Sequence, residues 1–128
     1  MSAKWIPWGI MVALFILAIN TGPRGGPTLN EVAPPFRADL LQGMVFDLKD
    51  HRGEVVVLDF WATWCPPCRR SLPAINKLYK HYKDDPKVWI GTVNKESIST
   101  QRLTSWMKRA RLTIPVVRDS KEEVSRQY

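Results

Sequence analysis

Residues 53–73 read GEVVVLDFWATWCPPCRRSLP, and both cysteines of the 128-residue chain, Cys65 and Cys68, fall inside this stretch. Ahead of them, the β-branched and aromatic run from Val55 to Ala62 is too apolar for a half-exposed strand and predicts a buried central one. Behind them, Leu72, Ile75, Tyr79 and Tyr82 stand at i, i+3, i+7 and i+10, one face of a helix that ends at Asp84-Asp85-Pro86. Cys65 therefore opens a helix directly after a strand. There a sulfur meets the positive end of the helix dipole and the unpaired N–H groups of the first turn, which favour thiolate over thiol. Cys68 lies one turn on, within reach of the mixed disulfide that Cys65 would form. The spacing divides the labour: Cys65 attacks, Cys68 resolves, and a Cys65–Cys68 disulfide is left behind. Pro66 and Pro67 suit early helix positions, whose N–H groups have no intrahelical acceptor. They stiffen the loop and tune its redox poise.

The rest of the composition narrows the choices. The length fits one domain with a real core and no need of disulfide staples. With 45% hydrophobic and 24% charged residues, collagen-like and disordered classes are excluded. Net charge is +7, from 19 Lys and Arg against 12 Asp and Glu, densest at Lys108, Arg109 and Arg111. No groove-reading or base-stacking motif accompanies that charge, so no nucleic-acid partner is expected, only solubility and weak attraction to anionic lipid or an acidic partner. Arg69 and Arg70 read as a solvated helix face. One Cys-x-x-Cys pair supplies half of a Cys₄ zinc site, and His51 and His81 are not at finger spacing from it. Neither a metal nor a cofactor is expected beyond the redox-active disulfide.

Residues 1–22 hold an apolar run from Trp5 to Ile19 behind a single Lys4. As a helix it would span roughly 22 Å, short of a ~30 Å hydrocarbon core but suited to a signal segment or an uncleaved anchor. Residues 23–35 are rich in Pro and Gly and read as a linker. The domain, residues 36–128, begins with two short apolar segments around Gln42-Gly43, a β-hairpin. After the first helix come a strand over KVWIGTVN (87–94) and a second helix with Ile98, Leu103, Trp106 and Ala110 on its apolar side. A strand-like run follows over TIPVVRD (113–119). Ser120 and Glu123, at capping-box spacing, predict a further helix over SKEEVSRQY (120–128). Alternating strands and helices argue for a parallel α/β sheet.

The stretch VVVLDFWATWCPPCRRSLP (55–73) resembles the active-site strand, loop and helix of the thioredoxin superfamily. Trp64 precedes the first cysteine, Trp61 stands three residues before Trp64, and Pro73 lies five residues after Cys68, where thioredoxins kink this helix. The resemblance implies a thioredoxin-like fold with a central sheet flanked by helices. It also implies that Asp59, as the buried acid of the family, passes a proton to or from Cys68. Trp64, beside the nucleophile, would line a peptide-binding groove. The N-terminal segment, the Pro-rich APPF (33–36), the hairpin and the strand–helix insert IPVVRDSKEEVSRQY (114–128) are similar to the membrane-tethered TlpA/ResA-like branch. That branch implies a domain held outside the cytoplasm at the inner membrane, in the periplasm, by a single-pass anchor. Its partners would be protein thiols and disulfides, apocytochromes c among them, and a membrane or thioredoxin-like electron donor.

Active thioredoxin folds also carry a cis-proline loop, a closing hairpin and a last helix. Pro115 reads as part of the insert, with a trans bond, so the C-terminal part of the fold is expected to be missing from this chain, either as a fragment or as a degenerate copy. Three functions stand beside one another: an extracytoplasmic thiol–disulfide oxidoreductase, a peroxiredoxin-type peroxide reductase, and a non-catalytic binding module or metallochaperone. Peroxiredoxins place Thr and Pro ahead of an isolated cysteine, unlike the tight pair here.

Overall fold

The structure, a computed structural model, describes residues 26–128. The expected anchor over 1–22 and the start of the linker lie outside the described residues, and among these no helix is long and apolar enough to cross a membrane. Residues 26–35 form no helix or strand.

The hairpin comes first. Strands β1 (Arg37–Asp39) and β2 (Val45–Asp47) pair antiparallel, with Ala38 opposite Phe46. The turn between them uses Gly43 at φ 88°, in the left-handed region that glycine enters without steric cost. A short 3-10 helix, Leu48–His51, leads on to β3 (Val55–Trp61). Then follow α1 (Pro66–Tyr82), β4 (Val88–Asn94), α2 (Thr100–Arg109) and β5 (Val116–Arg118). Strands β3, β4 and β5 form a parallel sheet in that order.

Because strand side chains alternate between faces, the sheet has two distinct cores. Toward α1 and α2, Trp61, Leu72, Ile90, Leu103, Met107 and Val116 pack together, with Val57 and Cys68 against them. Both helices share this face, as two right-handed crossovers running the same way across a sheet require. On the other face Phe36, Leu40, Phe46, Val93, Val117 and Val124 form a second cluster under the hairpin, joined by Val56, Leu58 and Phe60. Gly91 sits on β4 where a Cβ would overlap the Trp89 indole, so the missing side chain is what lets that ring lie along the strand. The hairpin closes the outer edge of β5: the Leu41 N–H donates to the Val116 carbonyl at 2.7 Å, and Leu40 bridges Val117.

Four expectations need correction. Among the described residues β4, not β3, is the middle strand of the sheet; β3 is paired on one side only there and is half-buried from Val56 to Phe60. Its apolar sequence reflects cover on both faces, which does not specify a place in the sheet. The helix over 120–128 is replaced by turns. There the buried Asp119, 3% exposed, accepts from the N–H groups of Val124 (3.0 Å) and Ser125 (2.7 Å), while Glu122 at φ 57° breaks any helical run. On α2 the buried residues are Leu103 and Met107; Ala110 falls at the exposed C-cap, past the last helical turn. Tyr82, at the end of α1, is 37% exposed. Instead Asn76 is buried on that helix, its Oδ1 accepting from the N–H groups of Thr113 (2.8 Å) and Ile114 (3.0 Å).

Candidate active site

β3 ends at Trp61, and the chain turns through Ala62–Trp64 so that Cys65 becomes the N-cap of α1, in extended conformation at φ −91°, ψ 102°. Its N–H donates to the Ala62 carbonyl (3.1 Å) and its own carbonyl accepts from Arg69 N–H (3.1 Å), so the backbone on both sides of the sulfur is held. Cys65 and Cys68 form a disulfide with Cα atoms 5.3 Å apart. Pro66 and Pro67 occupy the first two helical positions. Neither carries an N–H, so of the first three positions only Cys68 presents a backbone donor toward the cap. The sequence expectation of several free N–H groups around Cys65 is thereby reduced to one donor plus the dipole.

Of the other candidates, Trp61 and Trp64 line the same cleft as this pair, and Asp59 does not. Trp61 is core, 1% exposed, with its ring 4.9 Å from that of Trp106. Trp64 is 65% exposed, and Lys95 Nζ sits 5.7 Å from its ring centroid. A cleft of about 400 Å³ opens here, lined by Trp64, Cys65, Cys68, Lys95, Phe60 and Tyr128. Asp59 is two residues before Trp61, on the strand face that turns to the helices. Its Oδ2 is buried without a hydrogen-bond partner, and burial raises its carboxyl pKa above the usual aspartate range. Pro73 lies inside α1, which continues through it to Tyr82.

Two residues that sequence reasoning missed complete the site. Glu96, just beyond β4, accepts from Thr63 N–H (2.6 Å) and Thr63 Oγ1–H (2.9 Å), two residues ahead of Cys65. Asn94, buried at the end of β4, donates from Nδ2 to Glu96 (3.2 Å) and accepts from the Glu96 N–H (3.3 Å). The signal available in advance was topological: side chains just past the C-terminal ends of neighbouring parallel strands converge on the crevice there. His51 is not in this site; it pairs with Glu54 (2.8 Å) and stacks on Phe46 at 4.8 Å. Among the described residues no group of three or more His, Cys, Asp or Glu side chains is placed to hold a metal ion.

The model of the AhpC/TSA family matches residues 29–128. The chain belongs to the AhpC/TSA family. The thiol-disulfide oxidoreductase ResA of Geobacillus kaustophilus is 35% identical over 101 residues, which are 78% of this chain and 56% of that protein. The thioredoxin-like protein YneN of Bacillus subtilis is 37% identical over 89 residues, 70% of this chain and 52% of that protein. The crystal structure of StoA from Bacillus subtilis superposes with a TM-score of 0.64 at 31% identity, covering 76% of this chain and 72% of that one. The fold is thus thioredoxin-like, as the sequence implied. The chain spans about half the length of the curated relatives it matches.

Proposed function

We propose that this AhpC/TSA-family chain is a thiol–disulfide oxidoreductase that reduces protein disulfides through Cys65 and Cys68. The observation that carries the reading is the pairing of the two sulfurs at the start of α1, one of them the helix N-cap, on the wall of an open cleft. In the reduced form the Cys65 thiolate attacks a substrate disulfide; one substrate sulfur leaves as thiolate and a mixed disulfide forms. Cys68 then gives up its proton and attacks the Cys65 sulfur. The second substrate thiolate leaves, and two electrons have passed from the dithiol to the substrate. Asp59 takes the Cys68 proton, a task suited to a carboxylate whose pKa burial has raised toward that of its partner. An external dithiol protein or membrane donor must restore the pair.

The finer reading places the domain outside the cytoplasm on the anchor of residues 1–22, acting on exported proteins such as apocytochromes c. Its support is the apolar run Trp5–Ile19 and the likeness to ResA-type proteins. The test is insulin reduction by the dithiothreitol-reduced full chain. Wild type is expected to precipitate the insulin B chain, and Cys65→Ser to fall to the uncatalysed rate. Equal rates in the two would refute the reading. Turnover of hydrogen peroxide with silence toward insulin would favour a peroxidase instead.

A further inference from the structure

Two further clefts of about 440 and 310 Å³, distinct from the Trp64–Lys95 cleft, adjoin each other and share Trp106 and Arg109. One reaches Thr63, in the active-site loop, and carries Arg102; the other reaches Arg69 and Pro73, on the first turns of α1. Arg102, Trp106 and Arg109 stand at i, i+4 and i+7, so one face of α2 presents all three. Their charge is unbalanced. Neither α1 nor α2 contains an acidic residue, while Arg69, Arg70, Lys77 and Lys80 lie on the first and Arg102, Lys108 and Arg109 on the second. Among the described residues none of these arginines makes an ion pair. The acid nearest in sequence to α2, Glu96, is engaged by Thr63 and Asn94.

We propose that this groove binds an acidic, extended segment of the protein substrate, flanking the disulfide that Cys65 attacks; this rests on the exchange reading above. The half-buried Trp106 ring forms an apolar floor, and three unpaired guanidinium groups around it supply planar, two-pronged donors suited to carboxylates. Thr63 and Arg69 are neighbours of Cys65 and Cys68 in the chain, so a polypeptide with its sulfur at Cys65 can lay its flanking residues along the groove. A groove with an aromatic floor suits a peptide better than a flat lipid surface.

The test is binding of two peptides to the oxidised full chain. They share one sequence with Ser in place of Cys, flanked by Asp and Glu in the first and by Lys in the second. The acidic peptide is expected to bind about tenfold more tightly at low salt, the preference shrinking as salt rises. Arg102→Glu with Arg109→Glu is expected to abolish or invert it. Lys87→Glu with Lys121→Glu, the same change of net charge on exposed residues elsewhere, should keep it. Equal affinities, or loss of the preference in both double variants, would overturn the proposal, as would charge-dependent capture on phosphatidylglycerol vesicles with no peptide preference. Reduction of neutral hydroxyethyl disulfide, measured in parallel, reports on the exchange reading alone, so failure of one is distinguishable from failure of the other.

Discussion

The Glu96 carboxylate holds Thr63 at both its N–H (2.6 Å) and its hydroxyl (2.9 Å), tying the chain just past β4 to the loop that delivers Cys65. Removing that carboxylate leaves a partly buried N–H and a hydroxyl without their acceptor, a loss of about 1–3 kcal/mol. Glu96→Ala is therefore expected to lower the unfolding free energy by that amount, read as a lower urea midpoint, and Glu96→Gln, which keeps one acceptor oxygen, by roughly half as much. An unchanged midpoint in Glu96→Ala would mean that the loop is held by other contacts.

Asp59 sets a pH dependence whose sign follows from its burial. The folded protein keeps this proton where the unfolded chain has released it, since the folded pKa is raised above the ordinary 3.8. Stability is thus lost as pH climbs from the unfolded value through the folded one, and the deficit persists at neutral pH. Asp59→Asn is expected to flatten that interval and to raise the stability at pH 7, while slowing the Cys68 step. Denaturation at several pH values checks the first part. A variant less stable than wild type at pH 7 would contradict it.

Pro66 and Pro67 withhold two first-turn donors from the Cys65 sulfur. An N-cap side chain is contacted by N–H groups at the second and third helical positions. Pro67→Ala restores the second and is expected to lower the Cys65 thiol pKa, because the added N–H donor favours the thiolate. Pro66→Ala, at the first position, should change it less. Alkylation rate against pH reads both, and a rise in Pro67→Ala would count against the capping argument.

Asn76 latches α1 to the segment entering β5 by accepting two backbone N–H bonds. Asn76→Ala leaves the buried Ile114 N–H unpaired, with an expected cost of about 2–3 kcal/mol. Asn76→Asp keeps an acceptor there and should cost less. Equal losses in the two variants would contradict the assignment of the stabilisation to these two accepted bonds.

These residues mark the boundary of what the sequence discloses. The cysteine pair, the prolines at the head of α1, the hairpin turn at Gly43 and the apolar faces around Leu72 and Leu103 rest on local spacing, and local spacing is visible in a string of letters. Glu96 and Asn76 work through partners 33 and 37–38 residues away, so their polar side chains look solvated until the fold brings the partners in. The false helix at the C-terminal end has a different origin. Ser120 and Glu123 imitate a capping box, but Asp119 one residue earlier is the stronger acceptor and gathers Val124 and Ser125 into a turn. For β3, apolar residues on both faces described its cover but not its pairing among the described residues, where it has one neighbour. Trp106 was visible as an apolar residue of α2, but not as the floor of a basic groove, because that needs α1 and α2 side by side.

The division of roles between the two sulfurs is tested most directly by trapping. The reduced Cys68→Ser variant is incubated with a peptide disulfide, and the adduct is located by peptide mass mapping. A stable mixed disulfide should accumulate on Cys65, because the sulfur that would release it is gone, whereas the Cys65→Ser variant should form little. No adduct on Cys65, or faster capture by Cys68 in the Cys65→Ser variant, would contradict the assignment of Cys65 as nucleophile.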